Sequence, residues 1–311
     1  MMLQPATLAE LTQAVSDAAL HREPVTAVDL RALDRVVEYT PEDMTVTVEA
    51  GLTLAGLQTR LAQGGQWLPI DPPHPERLTI GALLATNASG PRRFGYGTIR
   101  EHLIGVKAVL SDGRLIKSGG KVVKNVAGYD LQKLFVGSHG SLGVIVEATF
   151  KVRPLPEVER FVQADCPSVE AAGALLDSVL DSALTPVVME WHQLAAGHTV
   201  ILGFAGSHAE VEWQINLAKQ LGVQESATLD QEAQFWGDAA TPSPRKISVL
   251  PSRLVETIRL LGATPFVARA GNGVLWHRGE AESGAAVHPV HLTRRIKEEF
   301  DPQHIFPDLP M

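Results

Sequence analysis

Residues 125–147 hold four glycines, Gly128, Gly137, Gly140 and Gly143, set around a short apolar run and followed by the β-rich segment Val144-Ile-Val146. A glycine has no Cβ, so the main chain at such a position can come close to a bulky ligand or turn through conformations closed to other residues. The spacing Gly137-x-x-Gly140-x-x-Gly143 is not the dinucleotide fingerprint G-x-G-x-x-G, and no acidic residue follows at the distance that would hold a ribose, which argues against a nicotinamide Rossmann site. A second glycine-bearing stretch lies upstream, from Thr79 through Gly81, Gly90 and Gly95 to Gly97. Asn, Ser, Gly and Pro in that stretch are ordinary turn formers. Alternatively, they form a loop offering amides and the side chains of Thr86, Asn87 and Ser89 to a ligand.

The pattern around these stretches is mixed helix and strand. Thr7-Leu-Ala-Glu10 reads as a capping box, with Leu8, Leu11, Val15 and Ala18 as the buried stripe of a first helix. Met44 to Glu49 alternates as a strand, Leu54, Leu57 and Leu61 mark a second helix ended by Gly64-Gly65, and 103–118 reads as a hairpin around Asp112-Gly113. A strand from Gly143 to Val152 stops at Pro154 and Pro156, the best domain boundary in the chain. Beyond it, a strand at 159–164 precedes a helix at about 168–181, then come strands at 186–191 and 199–204 and a helix at about 207–220. A fainter second pass follows over 245–277, so an antiparallel α+β unit is expected.

Several chemistries lack support. The net charge of −8 disfavours nucleic acid and anionic membrane as main partners. No apolar run approaches membrane-spanning length, no basic segment precedes an apolar one at the N-terminus, and the single Cys166 fits a reducing compartment. A cytoplasmic protein is expected, one that could meet a membrane through partners. No metal site is expected: His288-Pro-Val-His291 is the closest histidine pair, and its proline disfavours the helical geometry that would aim both rings at one ion. Ser138 and Ser141 have no identifiable His/Asp pairing, and Ser118-Gly-Gly-Lys121 lacks the spacing of a Walker loop. No acid/base pair stands out, so no catalytic residue is nominated. Arg92, Arg93, Lys121 and Lys124 read equally as solvated cations or as anion ligands.

The motifs carry a resemblance. The segments Leu68-Pro-Ile-Asp-Pro-Pro-His74, Gly90-Pro-Arg-Arg93, Lys124-Asn-Val-Ala-Gly-Tyr-Asp130 and Phe300-Asp-Pro-Gln-His-Ile-Phe-Pro307, with the glycine stretches, resemble the flavin-binding domain of the vanillyl-alcohol-oxidase (PCMH) type. Within it they are most similar to the E-subunit branch of bacterial glycolate oxidase. The likeness covers nearly the whole chain, strongly over 30–153 and weakly over 155–290. It implies an α+β protein with an FAD-binding PCMH-type domain over 1–153, a smaller ferredoxin-like α+β cap over 157–290, and a C-terminal helix and tail, 291–311, packing back on the first domain. It implies FAD as cofactor, held by Pro73, Gly81, Thr86, Asn87, Ser89, Gly90, Gly97, Gly137, Gly140, Gly143 and Ile145. It further implies a glycolate (2-hydroxy-acid) oxidase or dehydrogenase complex as the setting, with a catalytic flavoprotein subunit and an iron–sulfur subunit as partners.

One departure weighs against the matches. The family carries a glycine-rich loop between its first helix and the segment matching Asp29-Leu-Arg-Ala-Leu33, where amides hold the FAD diphosphate. Here residues 23–28 run straight into Asp29, and no glycine occurs before Gly51. Losing about three charge-assisted hydrogen bonds at ~1.5 kcal/mol each removes roughly 4.5 kcal/mol, on the order of a thousandfold in affinity. FAD is therefore expected to be held weakly. The alternative is a non-catalytic scaffold subunit that has lost tight FAD binding and docks on a catalytic flavoprotein partner.

Overall fold

The computed structural model describes residues 1–120, 130–194, 197–226, 228–237, 243–279 and 290–308. It divides into two compact units, one of Met1–Ala88, Thr98–Leu155 and Val287–Met311, the other of Ser89–Gly97 and Pro156–Ala286.

The first unit is built on a five-stranded antiparallel sheet ordered Val36–Thr40, Thr45–Glu49, Val144–Lys151, Leu103–Val109, Leu115–Gly119. The strand Val144–Lys151 lies at its centre and buries Val144, Val146, Ala148 and Phe150. Opposed pairs fix the register: Thr47 and Thr149 share a hydroxyl hydrogen bond of 2.9 Å, and Lys107 meets Glu147 at 2.9 Å. The first helix, Leu8–His21, starts where its cap dictates, with the Thr7 hydroxyl accepting from Glu10 N–H, and buries Leu11, Val15 and Ala18. Helix Leu54–Ala62 is capped by Thr53 and helix Ile80–Thr86 by Thr79. A short parallel pair, Met2–Leu3 with Ala27–Val28, has no counterpart among the sequence expectations.

The second unit is a seven-stranded antiparallel sheet ordered Gln224–Ser226, Val158–Cys166, His198–Gly206, Val188–Gln193, Phe266–Arg269, Val274–His277, Arg245–Ser248. Alternation along Val188–Gln193 separates two environments. Met189 and Trp191 enter an apolar core with residues of the helices Val169–Leu180, His208–Lys219 and Leu254–Leu261. Glu190 and His192 share instead a buried polar cluster with Arg269 and with Glu232 of helix Asp230–Gly237. Arg269 Nη1 donates to Glu190 Oε2 and, at 2.9 Å, to Glu232 Oε2, while Nη2 reaches Glu232 Oε1 at 2.6 Å. The guanidinium also lies over the Trp276 ring, 4.9 Å from its centre.

Burial pushes the Glu190 carboxyl up in pKa. At Glu232 burial is outweighed by Arg269 and the carboxyl is held down. One ligand-type atom from each of Glu190, His192 and Glu232 lies within 4.8 Å of the others, a grouping that histidine spacing alone did not reveal. Arg269 already supplies the cluster with a positive charge, so the arrangement is an ion-pair network pinning helix Asp230–Gly237 to the sheet. Arg92, left open by the sequence, pairs with Glu159 inside this unit through Nε at 2.8 Å. His291 stands in helix Val290–Phe300, and His288 lies outside the described residues, as do Lys121, Lys124 and Gly128.

Replacing Arg269 with Met would leave two carboxylates buried without their cation. This is expected to cost about 3–5 kcal/mol, read as an earlier urea midpoint at unchanged slope. A second expectation concerns His277, whose Nδ1 accepts from Gly279 N–H at 3.2 Å and whose pKa is lowered from 6.5 by burial and by Arg245. Unfolding therefore takes up a proton at this site, and its contribution to stability is present above 6.5 and fades as pH falls through the folded value. The stability advantage of wild type over His277→Gln should shrink between pH 7.5 and 5.5, by at most about 1.4 kcal/mol per pH unit. Denaturant titrations of both proteins at the two pH values check this.

Candidate functional site

The first unit contains a cavity of about 230 Å³. Three of its sides come from Val25, Thr26, Ala27, Val28 and Leu30, from Ala50 with the helix residues Gly81, Ala82 and Ala85 and their cap Thr79, and from the loop His139, Gly140, Gly143, Val144 and Ile145. Phe306 and Pro307 of the tail complete it.

The glycine loop is fixed to the helix beside it. Gly137 N–H donates to Leu84 carbonyl at 2.9 Å and His139 N–H to Ala85 carbonyl at 2.8 Å, so the loop satisfies carbonyls that the end of helix Ile80–Thr86 leaves open. Gly137, His139 and Gly140 all have left-handed backbone, with φ of 79°, 52° and 78°. The glycines do different jobs. A Cβ on Gly140 would meet nothing within 4 Å, so its hydrogen faces open space. A Cβ on Gly143 would stand 2.8 Å from the Val109 carbonyl oxygen, and one on Gly81 would stand 3.2 Å from Ala50. Gly143 and Gly81 thus serve main-chain packing.

The tail is held by a buried ammonium. Lys297 Nζ donates to the carbonyls of Ser141 (2.9 Å), Phe306 (3.0 Å) and Pro307 (3.1 Å) and to Asp301 Oδ2 (2.5 Å). Asp301 in turn accepts from the N–H groups of Ile305 and Phe306. Asp301 and Phe306 fall within the C-terminal motif of the sequence, whereas Lys297 carries no sequence signal beyond a helical position.

Of the expected contact residues, Gly81, Gly140, Gly143 and Ile145 line the cavity. Gly137 and Asn87 are not among the lining residues and lie next to one another, a Cβ on Gly137 standing 3.7 Å from that of Asn87. Asn87 closes helix Ile80–Thr86 in a left-handed conformation with φ of 50°, and its buried Oδ1 has no hydrogen-bond partner among the described residues. Thr86 turns its hydroxyl to the Ala82 carbonyl and is exposed. Pro73 lies in the loop before Thr79, outside the cavity lining. Ser89, Gly90 and Gly97 belong to the second unit, where Ser89 accepts from Arg93. Residues 25–28, Phe306 and Pro307 were not among the expected contacts.

Residues 3–119 match the family model described as FAD binding domain. That stretch of the first unit is thus similar to an FAD-binding domain, which supports FAD as the cofactor. The chain is 34% identical over 186 residues to the glycolate oxidase subunit GlcE of Escherichia coli (strain K12), covering 55% of this chain and 53% of that one. It is 35% identical over 211 residues to a probable mitochondrial D-lactate dehydrogenase of Danio rerio, covering 62% and 42%. The chain thus spans about half the length of these relatives. The fold is that of alkyldihydroxyacetonephosphate synthase, with a TM-score of 0.74 at 16% identity over 100% of this chain and 77% of the other.

The residues fit part of such a ligand. An open glycine face at Gly140 and an unpartnered buried acceptor at Asn87 suit the flavin body. The diphosphate end does not fit in the same way. Residues 25–29 run extended, with Val25 N–H donating to Ile305 carbonyl, Thr26 to Met1 and Asp29 to Leu3. No residue from Glu23 to Asp43 has left-handed backbone, which an anion-binding nest of successive amides requires.

The two glycines separate in mutation. Gly143→Val is expected to destabilise the first unit by several kcal/mol through collision with Val109, whether or not flavin is present. Gly140→Ala should cost only the left-handed penalty of about 1–2 kcal/mol and should lower flavin uptake in protein that remains folded. Melting curves with and without added FAD distinguish the two.

Proposed function

We propose that the chain is the FAD-binding subunit of a glycolate (2-hydroxy-acid) oxidase or dehydrogenase complex. The observation that carries this reading is the glycine-faced cavity between helix Ile80–Thr86 and residues 139–145, inside a domain that matches the FAD-binding family. Relatives named for glycolate and D-lactate support a small 2-hydroxy acid as the substrate. When bound, FAD supplies two-electron chemistry that side chains lack. The chain's part is to bind and orient: Gly140 admits the ligand, Asn87 Oδ1 offers an acceptor, and Phe306 with Val25 and Val28 keeps water from one side. His139 is the single titratable side chain among the described lining residues, so the cavity brings together no acid/base pair. The partners that complete the chemistry are a catalytic flavoprotein subunit and an iron–sulfur subunit. We take the setting to be the cytoplasm, with contact to a membrane through those partners; no helix among the described residues is long and apolar enough to cross one.

A second reading, a non-catalytic scaffold docking on a flavoprotein partner, draws on the amides of residues 25–29, which are spent inside the protein. The two part on purification. The isolated chain should show little or no oxidation of glycolate or lactate with an artificial acceptor, yet bind added FAD. At a hundred times Kd, bound FAD adds about 2.7 kcal/mol to stability, visible as a higher melting temperature. No shift at any FAD concentration favours the scaffold. A yellow protein that turns over a 2-hydroxy acid unaided sinks the need for partners.

A further inference from the structure

We propose that this flavin site does not read the phosphates: it recognises the part of the cofactor common to riboflavin, FMN and FAD and gains nothing from the diphosphate or the adenosine. The inference rests on the reading of the cavity as a flavin site. Its ground is where the amides around the cavity go.

A diphosphate in a protein is held by clustered N–H groups or by cations. In the segment that would carry the nest, the N–H groups of Val25, Thr26 and Asp29 are taken by the Ile305, Met1 and Leu3 carbonyls at 2.7–2.9 Å. The same holds across the cavity. Ile80 N–H donates to Leu52 carbonyl and Gly81 N–H to Ala50 carbonyl, each at 2.8 Å, and Ala82 N–H donates to the Thr79 hydroxyl at 3.3 Å. In the left-handed stretch of the glycine loop, His139 N–H is bonded to Ala85 and Ser141 N–H to Ser138, so the amides on either side of Gly140 are committed and no run of successive amides is left for a nest. Cations are equally committed. No Lys or Arg lines the cavity among the described residues. Lys297, which holds the tail segment of the wall, has its charge met by Asp301 and three carbonyls.

The wall that replaces a nest is mainly aliphatic, built of Val25, Val28, Leu30, Ala85 and Val144; its polar side chains are His139 and the threonines Thr26, which donates to the Met1 carbonyl, and Thr79, which accepts from Ala82 N–H. Such a wall rewards burial of apolar ligand surface and returns nothing for two phosphates, whose desolvation would go uncompensated. Binding energy must come from the ring and ribityl portion.

The test is titration of the purified full chain with riboflavin, FMN and FAD by calorimetry, with ADP as competitor. The expected result is three dissociation constants within tenfold of one another, little changed between 50 and 500 mM salt, and no displacement of riboflavin by millimolar ADP. FAD binding more than tenfold tighter than riboflavin, or displacement by ADP, overturns the inference while leaving the flavin site standing. Failure of all three flavins to bind overturns the flavin-site reading and the inference with it.

Discussion

A buried ammonium ion must be matched at every hydrogen or it is not tolerated, and Lys297 meets that demand by drawing together segments far apart in sequence. Its acceptors come from the glycine loop at Ser141, from the helix it stands on at Asp301, and from the tail at Phe306 and Pro307. Asp301 returns two further bonds to tail amides. The ring of Phe300 packs edge-on against Phe135, just ahead of the loop, at 5.8 Å between centroids. The cavity wall is thus set from the C-terminus: residue 25 also reaches the tail, through the Ile305 carbonyl. Without this network the loop and residues 25–29 would have no common anchor.

The second unit solves an analogous problem with the charges reversed. Two carboxylates of one cluster, Glu190 and Glu232, are reconciled by a single guanidinium. Their unequal titration follows from position: Glu232 receives two bonds from Arg269 and one from the Trp236 indole, whereas Glu190 Oε1 has no partner among the described residues. A buried network of this kind fixes one arrangement of helix on sheet, at a desolvation cost that a purely apolar face would avoid.

Much of the scaffold was legible in the sequence because it rests on local rules. Thr7 caps the first helix as the Thr-x-x-Glu pattern dictates, Asp112-Gly113 turns the hairpin, and Leu54, Leu57 and Leu61 face the core. Helix Asp230–Gly237 went unread, because its anchor is Glu232 bonded to an arginine 37 residues away and its own sequence carries no apolar stripe. The pairing of Met2–Leu3 with Ala27–Val28 was also unread, since two-residue strands have no period. At the site, Gly81, Gly140, Gly143 and Ile145 of the eleven nominated residues line the cavity, whereas Ser89, Gly90 and Gly97 fall in the second unit. Lys297 stayed hidden because a helical lysine near a terminus ordinarily faces water, and only the returning tail encloses it.

The crowding of Gly143 against Val109 bears on how such chains are recognised at all. A residue kept by the backbone it touches is under selection for folding, independent of any ligand nearby. A lineage could abandon its cofactor and still keep this glycine, along with Gly81 against Ala50. Part of the signature that marks the domain is therefore a record of main-chain geometry. Gly140 meets no neighbour where a side chain would stand, and it is its left-handed backbone, with φ of 78°, that favours glycine there.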